Sequence, residues 1–273
     1  MRVDAHQHFW LLAERDGWPS PDMVAIYRDF QPPHLLPLLA SHGIEATVLV
    51  QALPDENETR SMLALANQYP FIAAVVGWID LKADLAPARI GQLATHPKLK
   101  GLRPMLQALD DNWLDDDRLE PAVEAMLFHN LSFDALVLPK QLPALLRFAQ
   151  RYPQLPIVID HAAKPPIAAA ALQPWQDALA QCARLPQVMC KLSGLLTEAP
   201  DDCNAAILRP YVEHVLDVFT PQRVMWGSDW PVVNMASGYG KWNSLCTELL
   251  AHLTNVELDA VMGANATRFY RLG

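Results

Sequence analysis

Short runs of apolar residues alternate with longer amphipathic stretches along the whole chain. Eight of the short runs are predicted strands, because most of them are rich in Val, Ile and Leu and have the length of strands buried on both faces. They cover residues 2–8, 45–51, 71–80, 100–105, 131–138, 156–161, 187–194 and 223–229.

The stretches between these strands carry the spacing and the end signals of helices. One helix is predicted to begin at the Pro32–Pro33 pair and to end at Gly43. Asp55 is the expected N-cap of the next, which ends before Pro70. Amphipathic helices are also predicted over residues 142–153, 176–186 and 204–221. The last of them contains Pro210, which predicts a kink or a break.

A strand followed by a helix, repeated eight times, predicts parallel strands joined by right-handed crossovers. Eight such units favour a closed (β/α)8 barrel over an open doubly wound sheet. The chain has 273 residues, which suits one barrel of about 250 residues. No linker rich in Gly or Ser divides it, so residues 1–273 are predicted to form a single α/β domain.

The amino-acid composition argues against nucleic acid and membranes as binding partners. The net charge is −9 and no cluster of basic residues is present, so nucleic acid is not an expected partner. No apolar run reaches the roughly 20 residues of a membrane span. The first residues lack the apolar stretch of a secretory signal, and the four cysteines form no Cys-x-x-Cys pair. We therefore expect reduced thiols and a cytoplasmic location.

Polar residues stand at the carboxyl ends of the predicted strands, where barrel enzymes place their chemistry. In chain order they are His6, His8, Gln51, Trp78, Asp80, Arg103, Asp134, Asp160, His161, Lys164, Lys191, Ser193, Ser228, Asp229 and Trp230. These positions include more ionisable side chains than packing alone explains, so the strand ends are predicted to form an active site. The aromatic segment 9–30, directly after the first strand, is the predicted active-site loop.

Residues two apart in a strand face the same side, about 6.6 Å apart. His6 and His8 are therefore predicted to face one side together, with Val3, Ala5 and Gln7 facing the helices. Because the first and last strands of a closed barrel are neighbours, Asp229 is predicted to meet both histidines.

The segments "DAHQHFW", "DHAAKP" and "WGSDWP" resemble the amidohydrolase superfamily, and in particular its sugar-acid and pyrone lactonases. The resemblance extends over the whole chain, to the closing "GANATRFYRL". It implies a distorted (β/α)8 barrel that hydrolyses a small ring ester. The substrate it implies first is a sugar-acid lactone such as L-fuconolactone or L-rhamnonolactone.

The chain departs from the two-metal members of this superfamily. They carry a Lys on the fourth strand and a His on each of the fifth and sixth, where this chain has Arg103, Asp134 and His161. At most one divalent ion is expected, held by His6, His8 and Asp229, and zinc suits that set. The branch includes members active without metal, so hydrolysis is expected not to require the ion and to survive a chelator.

Lactone hydrolysis needs an activated water, a stabilised oxyanion and a proton for the leaving alkoxide. Asp229 is the predicted base, and His6, His8 and His161 are predicted to polarise the carbonyl or to hold the water. The predicted substrate-binding residues are Arg103, Gln51, Trp78, Lys164, Lys191 and Trp230.

Some of these strand-end residues also have simpler interpretations. Lys191 could instead be an internal salt-bridge partner of a neighbouring carboxylate. Asp80 and Asp160 are expected to hydrogen-bond the backbone at strand-to-loop turns.

Three other functions remain open from the sequence. A pyrone-4,6-dicarboxylate lactonase would need several arginines at the barrel mouth, where Arg103 is the one strong candidate. A metal-dependent decarboxylase of the same superfamily would need a histidine on the fifth strand. A non-catalytic barrel that binds sugar acids would keep its properties when Asp229 is replaced by Asn.

Overall fold

The computed structural model describes residues 1–15 and 17–273. Eight parallel strands, β1 to β8, pair in chain order around a (β/α)8 barrel. Their bounds are Val3–Gln7, Ala46–Val50, Ile72–Gly77, Leu99–Leu102, Ser132–Ala135, Ile157–Ile159, Val188–Leu192 and Val224–Trp226. Seven of them lie within the predicted runs, and β4 begins one residue before its run, at Leu99. Nearly every strand residue is buried, as both faces of a barrel strand are covered.

Helices cover the outside of the strands. Helices α1 to α10 span Pro32–His42, Glu56–Gln68, Ala86–Leu93, Glu120–Phe128, Leu142–Arg151, Trp175–Ala183, Ala205–Phe219, Gly238–Leu249, Asn255–Asp259 and Asn265–Tyr270. The predicted end signals are confirmed: the Asp55 side chain accepts a hydrogen bond from Asn57 N, and Gly43 ends α1 with a φ of 66°. Helix α7 continues through Pro210, so a break there was a wrong prediction. Its buried apolar face, which includes Leu208 and Val212, holds the helix on both sides of the proline.

The barrel closes at the seam between β1 and the end of β8. Asp229 N donates to the His6 carbonyl over 2.8 Å, and His8 N donates to the Trp230 carbonyl over 2.7 Å. Gly227 makes the close approach possible, because a Cβ there would lie 2.8 Å from the Cβ of His6. The predicted neighbourhood of the first and last strands is therefore confirmed.

The alternation predicted for β1 is interrupted. Val3 and Ala5 pack in a cluster with Val48 and the C-terminal Tyr270, rather than against the helical layer. Asp4 instead accepts a hydrogen bond from Tyr239 of α8. The pairing of β1 with β2 shifts register between Asp4 and Gln7, and such a bulge turns successive side chains to the same face.

Helix α10 contributes to the bottom of the barrel. Phe269 and Tyr270 join the apolar cluster formed by strand residues such as Val48 and Val158. This apolar layer forms the base of the barrel interior. Among the described residues, no helix has both the length and the apolar character needed to cross a lipid bilayer.

Candidate active site

The seam places one carboxylate among three imidazoles. Asp229 Oδ1 lies 3.3 Å from His8 Nε2 and 3.8 Å from both His6 Nε2 and His161 Nε2. All four side chains are at least nine-tenths buried. Asp229 itself has a φ of 57°, a left-handed conformation that costs free energy in a non-glycine residue and is typical of functional sites.

Contacts behind the rings orient two of the imidazoles. His8 Nδ1 donates to the Val50 carbonyl over 2.7 Å, which directs Nε2 toward Asp229. His161 Nδ1 lies 2.9 Å from Ser193 Oγ. Gly194 leaves room for this ring: it has a φ of 63°, and a Cβ there would lie 2.5 Å from His161 Nδ1.

Burial and neighbouring charge set the protonation states. Burial alone would raise the pKa of the Asp229 carboxyl, but the imidazoles around it, His161 first, hold that pKa well below its ordinary value. Burial lowers the pKa of His161 to about 4 and holds the pKa of His6 well below its ordinary value. At neutral pH the site therefore combines an ionised carboxylate with neutral His6 and His161.

A buried layer of charged groups supports His6 from below. Lys191 Nζ lies 2.7 Å from Asp134 Oδ2 and 3.0 Å from Asp160 Oδ1, and all three side chains are fully buried. Asp160 Oδ1 is in turn 3.4 Å from His6 Nδ1. Tyr270 of α10 donates to Asp134 Oδ2 over 2.5 Å. A continuous series of polar contacts thus connects the C-terminal helix with His6.

Two expectations about aspartates have different outcomes. Asp80 accepts a hydrogen bond from Lys82 N over 3.0 Å, as expected at a strand-to-loop turn. Asp160 was predicted to do the same, and this was wrong: its carboxylate points into the barrel, toward Lys191 and Arg103. Burial alone would raise the pKa of Asp160, but the Lys191 ammonium holds it well below the ordinary value.

A cavity of about 360 Å³ opens above Asp229. Five of the predicted site residues line it, namely His8, Arg103, His161, Lys164 and Asp229. The guanidinium of Arg103 is held by Asp160 Oδ2 at 3.2 Å and by the Gln51 carbonyl, so its position is defined. A larger hollow of about 430 Å³ between the segment after β1 and α2 contains none of these five residues.

Five other predicted residues do not line the cavity. His6 is fully buried beneath Asp229. Gln51 donates its amide to the Arg103 carbonyl over 2.7 Å, and the backbone of Trp78 is bound by the Thr59 hydroxyl. Lys191 is the salt-bridge partner described above, which is the alternative that the sequence had left open.

Trp230 packs against Phe9 and Phe30, with ring centroids 5.8 and 5.1 Å away. Substrate contact was predicted for Gln51, Trp78, Lys191 and Trp230, but the structure places these four side chains outside the lining of the cavity. Gln51, Lys191 and Trp230 are buried, and the backbone of Trp78 is bound by Thr59.

Loop residues that sequence reasoning had not chosen complete the lining. They are Trp18, Ala52, Leu53, Pro54, Met105, Gln107, Leu136, Thr197, Glu198, Val232 and Met235. Trp18 belongs to the predicted active-site loop, which therefore does reach the cavity. The others follow strand ends, but nothing in their residue types set them apart from ordinary loop residues.

Three side chains could share one metal ion. The donor atoms of His6, His161 and Asp229 lie within 4.8 Å of one another. The sequence had named His6, His8 and Asp229, and His8 Nε2 also faces Asp229 at 3.3 Å. Two neutral imidazoles and an ionised carboxylate are the protonation states that metal binding requires, so the donor set fits one divalent cation.

Comparison with known proteins agrees with this geometry. The model of the amidohydrolase family matches residues 3–272. An L-fucono-1,5-lactonase from Burkholderia ambifaria is 53% identical over 277 residues, which cover 99% of this chain and 96% of the relative. A second L-fucono-1,5-lactonase, from Burkholderia multivorans, is 37% identical and covers 100% of this chain and 96% of its own length.

A solved structure shows the same architecture. It is a crystal structure of an amidohydrolase from Burkholderia multivorans with bound zinc, 38% identical to this chain. The superposition has a TM-score of 0.94 and covers both chains completely.

Proposed function

Because the chain is a member of the amidohydrolase family, we propose that it is a hydrolase that opens the ring of a sugar-acid lactone, with L-fucono-1,5-lactone as the first candidate substrate. One observation carries the chemistry: an ionised carboxylate, Asp229, at the floor of a cavity and within 3.8 Å of three imidazole nitrogens. The relatives of 53% and 37% identity support the substrate class.

In this proposal a water molecule in the cavity gives a proton to Asp229 and attacks the lactone carbonyl. The cavity-facing Nε2 atoms of His8 and His161 orient that water. Arg103 supplies positive charge to the oxyanion that forms on the former carbonyl oxygen, a role worth about 3 kcal/mol in comparable sites.

Collapse of this intermediate breaks the bond between the carbonyl carbon and the ring oxygen. Asp229 then returns its proton to the departing alkoxide. The product is the open-chain hydroxy acid.

We further propose that His6, His161 and Asp229 hold one divalent cation, with zinc as the metal that this donor set suits. When bound, such a cation supplies Lewis acidity to the reacting carbonyl. His8 Nε2 lies 3.3 Å from Asp229 Oδ1, beside the proposed donor set.

The alternatives are less well supported. Among the described residues that line the cavity, Arg103 is the one arginine, whereas a pyrone dicarboxylate carries two carboxylates. The fifth strand offers Asp134, engaged with Lys191, where a decarboxylase needs a histidine. We rank the sugar-acid lactone first for these reasons.

The test is hydrolysis of a panel of aldonolactones, followed by acid release, with wild-type protein and the Asp229→Asn variant. The wild type should open L-fucono-1,5-lactone, and the variant should lose a factor of about 10²–10⁴ in kcat while still binding the product aldonate in calorimetry. Acid release at the uncatalysed rate with both proteins would instead favour the non-catalytic binding barrel.

Zinc binding has its own test. Calorimetric titration of zinc into chelator-treated protein should give one site in the wild type, which His161→Ala weakens. Hydrolysis is expected to survive chelation, because the imidazoles keep Asp229 ionised without an ion. Loss of activity on chelation, restored by zinc, would make the cation essential.

A further inference from the structure

Four consecutive residues after β6 form a left-handed turn. His161, Ala162, Ala163 and Lys164 have φ values of 53°, 49°, 59° and 51°. For residues other than glycine this conformation costs roughly 1–2 kcal/mol each. Lys164 N donates to the His161 carbonyl over 2.8 Å, and buried Trp175 donates from its indole to the Ala162 carbonyl over 2.7 Å. These contacts hold a strained segment in place.

The turn brings two functional groups to one wall. Residues three apart in a tight turn of about three residues lie on the same face. His161 and Lys164 both line the cavity accordingly. The segment that delivers the imidazole to Asp229 therefore also sets the position of the Lys164 ammonium.

Lys164 is paired across the cavity wall. Its Nζ donates to Glu198 Oε1 over 3.0 Å, and both side chains are only partly buried, with 23% and 26% exposed. Glu198 ends a short turn after β7, and Thr197 of that turn donates its hydroxyl to the Gly194 carbonyl. The bond to Glu198 uses one of the three ammonium hydrogens, which leaves donors available to a ligand.

The rest of the lining is largely apolar, with Trp18, Met105, Leu136, Val232 and Met235 contributing to it. The cavity therefore has a polar side at Lys164 and Glu198 and an apolar remainder. A ring that carries hydroxyl groups on one edge and C–H groups elsewhere matches this arrangement. Because Glu198 neutralises Lys164, the pair does not favour a second carboxylate on the ligand. It favours neutral groups that both donate and accept hydrogen bonds.

We propose that Lys164 and Glu198 act together as a specificity pair that binds two neighbouring hydroxyl groups of the lactone, the ammonium donating to one and the carboxylate accepting from the other. This inference rests on the proposed lactonase function and adds the residues that select a polyhydroxylated ring. Nothing in the proposed chemistry at Asp229 requires the pair.

The test compares two lactones of the same ring size, L-fucono-1,5-lactone and unsubstituted δ-valerolactone. Lys164→Met and Glu198→Leu should each lower kcat/KM for the hydroxylated lactone about 10- to 100-fold, mainly through KM, as expected for lost hydrogen bonds to charged groups. The fall for δ-valerolactone should be at least tenfold smaller. The double variant should lose little more than the worse single variant.

Lys140→Met is the matched control, because Lys140 forms an exposed pair with Asp111 on the surface. It should leave both rates unchanged. Thermal unfolding of each variant checks that the fold is intact. Equal losses on both lactones, or no loss on either, would overturn the specificity pair while leaving the lactonase function standing. A wild-type protein that opens neither lactone would refute the proposed function, and the specificity pair with it.

Discussion

Replacement of Lys191 by Met tests the buried layer of charge beneath the active site. The ammonium is fully buried and lies 2.7 Å from Asp134 and 3.0 Å from Asp160. At an effective dielectric constant of 20, Coulomb's law gives about 6 kcal/mol for the closer contact. Desolvation of the lysine offsets part of this, and loss of one partner from a buried ion pair typically costs 3–5 kcal/mol. We expect a loss of that size in Lys191→Met at pH 8.

The loss should shrink as the pH falls. In the wild type, Lys191 helps to hold the pKa of Asp160 below its ordinary value, so the stabilisation is present above the unfolded pKa near 4. In the variant, the two carboxylates face each other without the ammonium between them, and both pKa values rise. Acid then protonates them and removes the uncompensated charge, so the variant is closest to the wild type at pH 5.

Urea denaturation followed by tryptophan fluorescence at pH 5 and pH 8 measures both effects. The control is Lys140→Met, a surface lysine that is 59% exposed, for which we expect a change within about 0.5 kcal/mol. Adding Asp134→Asn to Lys191→Met should recover part of the loss at pH 8. A loss below 1 kcal/mol at pH 8, or an equal loss at both pH values, would refute the reasoning about this layer.

Three further predictions concern the groups around the site. Gly194→Ala should lower kcat more than tenfold, because the new Cβ would lie 2.5 Å from His161 Nδ1 and residue 194 has a positive φ. An unchanged kcat in steady-state assays would contradict this close contact. Burial raises the pKa of Asp4 to about 6, so the stability that Asp4 contributes should be lost as the pH rises from about 4 to 6, by up to about 3 kcal/mol. Asp4→Asn should remove that dependence in denaturation curves at pH 4.5 and 7.5; a constant difference between the two proteins would count against it. Tyr270→Phe should cost about 1–3 kcal/mol at pH 8, since Asp134 loses a buried donor at 2.5 Å, and an unchanged denaturation midpoint would speak against that role.

Much of the fold could be predicted from the sequence because its signals are local. Short runs rich in Val, Ile and Leu marked most of the strands, and residues such as Asp55 and Gly43 marked helix ends through their own backbone preferences. The count of eight strand–helix units then determined which strands are neighbours. That order was sufficient to predict that Asp229 lies close to His6 and His8.

Other features depended on contacts between residues distant in the chain. Asp160 and Lys191 look like ordinary strand-end groups, and only the packing of the barrel interior shows that they bind each other beneath His6. The register shift in β1 turns Ala5 and His6 to the same face, against the simple alternation. Nothing in the sequence around Glu198 predicts that its side chain lines the cavity.

Local signals in the sequence were enough to predict a single (β/α)8 barrel, the strand ends that carry its polar residues, and the contact between its first and last strands. Which of those side chains face the cavity, and which lie beneath it as buried ion pairs, depends on how the barrel packs. The two kinds of information differ in range. Strand and helix signals act over a few neighbouring residues, whereas the direction of a side chain and the state of its charge depend on groups brought together from separate strands.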